Sequence, residues 1–199
     1  MGVEFFAPKK LVYGENTFLE IAPNLIKLNI QRAFILFSGS ALTYELKQAL
    51  KSMCLDANIH VSFFEMPKGE PTMALLEIAC KLFHQNNCDG VIAIGGGSAI
   101  DLAKAVASIS KNEAQDFRTL ATLQQIDRFP LIAVPTTAGT GSEATKISVL
   151  TDSIAQVKYN PGHVDLIPDV AILDPVLTVN VPKHVTAFTG IDALTHAIE

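Results

Sequence analysis

The three cysteines of this chain, Cys54, Cys80 and Cys88, form no Cys-x-x-Cys pair, so neither a disulfide framework nor a zinc knuckle is expected. No apolar run approaches the roughly 20 residues needed to span a bilayer. Met1-Gly2-Val3-Glu4 has neither the basic start nor the apolar stretch of a signal peptide, so the expected compartment is cytoplasmic. Lysine and arginine are not clustered and the net charge is −5, which argues against a nucleic-acid surface and a membrane partner. Internal repeats and low-complexity stretches are also missing. What remains is a globular chain of 199 residues with 49% hydrophobic content, enough to bury a core in one domain or one and a half.

Apolar runs at strand length alternate with runs at helical spacing. Residues 10–13 read as a strand and 17–28 as a helix; 33–37 follow as a buried strand closed by Ser38-Gly39-Ser40. A helix over 42–53, a strand at 60–64, a helix over 72–87, a strand from Val91 and a helix from Ser98 continue the pattern. Another strand covers 131–134, a hairpin joins 147–151 to 156–160, and 170–173 is a last strand. Pro182 begins a short helix ending at Gly190, and the chain stops inside a further helix. Such alternation predicts an α/β fold, a Rossmann-like and mostly parallel sheet flanked by helices, with ligands at the carboxyl ends of its strands.

Two loops at those ends carry the chemistry. Gly95-Gly96-Gly97-Ser98 joins a strand to a helix start, where side-chain-free backbone and unpaired N–H groups suit a pyrophosphate. Ser98 with Asp101 also satisfies a capping box, and the segment matches neither the dinucleotide fingerprint nor a P-loop. The second loop, Pro135-Thr136-Thr137-Ala138-Gly139-Thr140-Gly141-Ser142-Glu143, offers hydroxyls to a phosphate or ribose. Its formal Gly139-x-Gly141-x-x-Ala144 match lacks the following βαβ unit and is discounted. Asp192 and His196 stand four apart, one helical turn, where an oxygen and a nitrogen can converge on one divalent cation. Two ligands make half a site, since zinc and iron want at least three from the protein.

These motifs, in this order, resemble the iron-containing (group III) alcohol dehydrogenase family: Gly-Gly-Gly-Ser-x-x-Asp-x-x-Lys at 95–104, Pro-Thr-Thr-Ala-Gly-Thr-Gly-Ser-Glu at 135–143 and Gly-Ile-Asp-Ala-Leu-Thr-His-Ala-Ile-Glu at 190–199. The resemblance implies a dinucleotide-binding domain over 1–181 and, over 182–199, the first helices of an all-helical metal-binding domain whose remainder is missing. It further implies that Gly96, Gly97 and Ser98 hold the pyrophosphate, that Thr136, Thr137 and Thr140 contact phosphate or ribose, and that Lys158, Leu177 and Val181 complete the cofactor contacts. Asp192 and His196 match two metal ligands for Fe²⁺, or Zn²⁺; His60, His84, His163 and His184 match none of the others. Implied partners are NADP or NAD, a small alcohol or aldehyde, and a second copy paired through 10–13.

One departure from the family concerns the first Rossmann strand, where members that prefer NAD carry Asp and this chain has Ser38. Loss of that charge leaves room and donors for a 2′-phosphate, so NADP is expected to be accepted, with a preference for it over NAD left open. The chain is expected to be inactive alone and to self-associate through apolar surface at Ala193, Leu194 and Ala197. Two alternatives stay open: a nucleotide-binding module without chemistry, and an enzyme like glycerol dehydrogenase or dehydroquinate synthase on the same scaffold.

Overall fold

A computed structural model describes the chain except residues 1, 3, 40, 113, 114 and 199. Ser40 of the first turn and Glu199 of the last motif therefore lie outside the described residues. The elements are β1 (Lys10–Tyr13), α1 (Ile21–Lys27), β2 (Arg32–Ser38), α2 (Tyr44–Asp56), β3 (His60–Met66), α3 (Met73–Gln85), β4 (Gly90–Gly95), α4 (Gly97–Ile109), β5 (Leu131–Pro135), β6 (Leu150–Asp152), β7 (Val157–Tyr159), β8 (Val170–Leu173) and α5 (Lys183–Ile198). Six strands form one parallel sheet in the order β1-β8-β5-β4-β2-β3, while β6 and β7 make a separate antiparallel hairpin.

Period-two alternation sorts each strand between two cores. Phe34, Leu36, Val91, Ala93, Leu131 and Ala133 face α3 and α4. Ile35, Phe37, Ile92, Ile94, Ile132 and Val134 face the other way, with Ile21, Leu25, Leu50 and Cys54 of α1 and α2. Each fully buried Ile or Phe contributes about 1.5–3 kcal/mol relative to exposure. Burial also pushes the Cys54 and Cys88 thiols up to about 11, which leaves them protonated packing groups.

Three helices end by one device. Asn29, Asn58 and Asn87 follow α1, α2 and α3 with φ of 57°, 56° and 50°, the left-handed turn that asparagine tolerates. The next residue then donates its N–H back into the last turn, from Ile30 to Leu25 at 3.0 Å, Ile59 to Cys54 at 2.8 Å and Cys88 to Phe83 at 3.1 Å. Ile30, Ile59 and Cys88 are buried, so each cap also seats the chain for the following strand.

Three local expectations differ from the structure. The helix predicted over 17–28 is a 3-10 turn, Thr17–Glu20, followed by α1, with Pro23 in the first α-helical turn where its missing N–H costs nothing. The two helices predicted around Gly190 are one, because α5 runs through that residue. A single glycine costs a helix only about 1 kcal/mol. The Ser98 and Asp101 capping box does not form: Gly96 is the N-cap of α4, with no side-chain bond.

Candidate functional site

Glycine 95 ends β4 with φ +156°, and a Cβ there would lie 2.6 Å from Ser38 Oγ and 2.8 Å from Ala99 Cβ. Only glycine fits between the end of β2 and the first turn of α4. Ser38 and Gly95 thus sit together at the carboxyl ends of β2 and β4, where the order of strands reverses and open α/β sheets hold ligands. The α4 amino terminus has no side-chain cap, and although Ala99 N–H donates to Gly96 O at 3.1 Å, the N–H groups of Gly97 and Ser98 before it can meet an anion.

The threonine loop leaves β5 beside this turn, tied by Thr136 N–H donating to Gly95 O at 2.9 Å. A Cβ on Gly96 would meet Thr137 Oγ1 at 3.1 Å, and one on Gly97 would meet Thr140 Oγ1 at 3.0 Å and Ser142 Oγ at 3.1 Å. The two loops therefore close on each other with hydroxyls against bare backbone, a cradle that any side chain at 96 or 97 would fill. Thr136 is buried, Thr137 and Thr140 are half-buried, and Ser98 is half-buried on the first turn of α4. A cavity of about 360 Å³ opens beside the loop, lined by Tyr13, Thr137, Gly139, Glu143, Asp174 and Thr178 among others. A larger one, about 420 Å³, lies at the opposite end of the sheet, but its Lys9, Arg128 and Asp169 are already joined in ion pairs.

Lys104 was part of the glycine motif without an assigned role, and the structure gives it one. Fully buried on α4, its Nζ donates to Thr145 O at 2.8 Å, Ile147 O at 2.7 Å and Thr145 Oγ1 at 3.3 Å. One helical turn before it, Asp101 Oδ2 accepts from Val149 N–H at 3.1 Å and its backbone oxygen accepts from Ser148 Oγ at 2.8 Å. Burial pushes the Asp101 carboxyl up and the Lys104 ammonium down, while each charge favours the other. Together they dock the segment after the threonine loop onto α4. The tie spans more than 40 residues, so no local pattern signals it.

Other expected contacts are spread more widely. Lys158, on β7, is paired with Glu70 at 2.5 Å, and that lysine holds the Glu70 carboxyl below its usual range. Leu177 packs against the core on the α1 and α2 side, and Val181 is half-buried just before α5. Asp192 Oδ1 and His196 Nε2 lie 3.7 Å apart on α5, both substantially exposed. Among the described residues no cluster of three His, Cys, Asp or Glu exists that could hold a metal ion. The pair supplies one oxygen and one nitrogen, a donor set that fits half of an iron or zinc site. Helix α5 buries no residue, yet it touches the threonine loop: Gly139 has no room for a Cβ against Thr189, three residues before Asp192.

The comparisons agree with this layout. A family model described as iron-containing alcohol dehydrogenase matches residues 8–175. The probable alcohol dehydrogenase EutG of Escherichia coli (strain K12) is 48% identical over 142 residues, 71% of this chain and 36% of the relative. The NAD-dependent methanol dehydrogenase of Bacillus methanolicus is 34% identical over 197 residues, 98% of this chain and 51% of the relative. A crystal structure of 1,3-propanediol oxidoreductase superposes with TM-score 0.92 at 28% identity, covering all of this chain and 52% of its own. The chain thus spans about half or less of the relatives it matches. With the glycine turn, the threonine loop and the parallel sheet all inside the matched span, this chain belongs to the iron-containing alcohol dehydrogenase family.

Proposed function

We propose that the chain is the nucleotide-binding part of a metal-dependent alcohol dehydrogenase, which moves a hydride between an alcohol or aldehyde and the nicotinamide of NAD or NADP. The observation that carries this reading is the glycine turn closed against the threonine loop over an uncapped helix start, with the Asp192 and His196 helix touching that loop. Gly96, Gly97 and Ser98 offer backbone N–H groups to the pyrophosphate. The hydroxyls of Thr137 and Thr140 orient phosphate or ribose, while Thr136 holds the loop to β4. Ser38 faces the adenosine ribose and, being uncharged, admits either dinucleotide. Leu177 and Val181 are the apolar contacts, and Lys158 joins the cofactor by leaving Glu70. Helix α5, which starts at Lys183 and has no buried residue among those described, supports a domain boundary near residue 181.

Fe²⁺, or Zn²⁺ in its place, held in part by Asp192 and His196, supplies Lewis acidity toward the substrate oxygen when bound. A bound nicotinamide dinucleotide would supply the hydride acceptor or donor, and Gly96, Gly97, Ser98, Thr137 and Thr140 would hold it. The residues of this chain position the reactants and take no covalent part. Exposed Leu11 and Tyr13 on β1, an edge strand of the sheet, support pairing with a second copy. Among the described residues no helix is long and apolar enough to cross a membrane, which supports a cytoplasmic site.

A second reading, a nucleotide-binding module without chemistry, is favoured by the presence of only two facing metal donors on α5. Calorimetric titration of the purified chain with NADH, then with Zn²⁺, separates the two. Nucleotide binding with metal uptake that Asp192→Asn abolishes is the expected outcome. Nucleotide binding with no metal uptake supports the module, and no nucleotide binding by a folded sample refutes both.

A further inference from the structure

We propose that Glu65 decides between the two dinucleotides and weights the site toward NAD. The inference rests on the nucleotide reading above and deepens it. Ser38 alone leaves the carboxyl end of β2 without the acid that accepts hydrogen bonds from an adenosine ribose and repels a 2′-phosphate. The neighbouring strand brings one there. β2 and β3 run parallel with Phe37 opposite Glu65 and Ser38 opposite Met66, so Glu65 stands next to last in its strand, near the Ser38-Gly39 turn.

The fit between the two strands is close. Glu65 Oε1 lies 2.9 Å from the point where a Cβ on Gly39 would stand, so the tip of the carboxylate lies over the turn in space that a side chain at 39 would share. Glu65 is exposed, and no hydrogen bond or ion pair engages it among the described residues. Its charge is therefore available at the outer side of the β2 end, while Gly95 abuts Ser38 on the inner side. A ribose lying over that strand end would meet a carboxylate reaching in from β3, and a 2′-phosphate would meet like charge at short range.

Two lysines of α2 work against this, and the farther, Lys51, holds Nζ 5.5 Å from the Phe63 ring centroid. Lys47 of α2 places Nζ 5.1 Å from the Phe37 ring centroid and 4.7 Å from that of Phe63, on the same sheet face as Glu65. It is held over ring faces, and a swing toward a 2′-phosphate would forfeit both contacts. The geometry assigns the nearer role to Glu65, because its carboxylate already overhangs the turn.

Titration of the chain with NADH and with NADPH, followed by nucleotide fluorescence, tests the assignment without requiring turnover. The wild-type chain is expected to bind NADH more tightly. Glu65→Gln should tighten NADPH binding by on the order of tenfold and move NADH by less than about threefold, the signature of a removed like charge. Gly39→Ala, which displaces the carboxylate without removing it, should shift the ratio in the same direction. A wild-type preference for NADPH, or an unchanged ratio in Glu65→Gln, overturns the role of Glu65 while leaving the nucleotide site in place. Failure of a folded chain to bind either nucleotide overturns the site and this inference with it.

Discussion

Asp169, at the amino end of the sheet, is met by two cations and a backbone donor: Arg128 Nη1 lies 2.6 Å from Oδ2, Lys9 Nζ lies 2.8 Å from Oδ1, and Leu131 N–H donates at 3.0 Å. Burial alone would raise this carboxyl, but the Arg128 guanidinium and the hydrogen bonds outweigh it and hold the group below its usual range. A carboxylate depressed in the folded state stabilises fully above its unfolded value near 4 and loses that contribution as pH falls through the folded one. Asp169→Asn is expected to cost about 3 kcal/mol at pH 7, because one partner of a buried pair is removed. The melting-temperature gap between wild type and variant should then narrow below pH 4. A gap that stays constant into acid would contradict the electrostatic cause. At this scale the glycines and threonines of the site were legible, since residue type alone decides where backbone is bare and where hydroxyls stand. The alternative of a Ser98 and Asp101 cap stays open at the level of spacing, which does not reveal that Asp101 turns toward Val149.

Helix α4 makes the element-scale argument. It is buried along almost its whole length, and Lys104 would be an error in an apolar helix were it not aimed at the carbonyls of Thr145 and Ile147. Lys104→Met removes the donor and leaves Asp101 buried with its compensating charge gone, so a loss of about 3 kcal/mol is expected by urea unfolding. Adding Asp101→Asn should cost less than the sum of the two changes, since the residues share one network. Strict additivity would mean that the two groups act independently. The strands and helices themselves were readable from apolar period, and so was the hairpin of β6 and β7. The split of 17–28 and the continuity of α5 through Gly190 were not, because local propensity is weak enough for surroundings to override.

At the scale of the whole molecule, α5 stands apart from an otherwise closed two-core sheet. Phe188, Ile191, Leu194 and Ile198 are exposed on it, and its close approach to the body is at Gly139. Ending the chain after residue 182 should therefore move the melting temperature by no more than about 3 °C, the shift that 1 kcal/mol makes in a chain of this size. Concentration-dependent association, measured by sedimentation, should fall at the same time; a large drop in melting temperature would show that α5 stabilises the sheet. The amino-acid sequence by itself determined the alternating α/β plan, the glycine turn, the hydroxyl-rich loop and the helical pairing of Asp192 with His196, because each depends on residue type and spacing along one element. Tertiary structure decided the rest. The strand order, the facing of Gly97 with Thr140, the Lys104 tie and the overhang of Glu65 above Gly39 all join segments distant in the chain, and only the packing of the sheet brings those segments within reach.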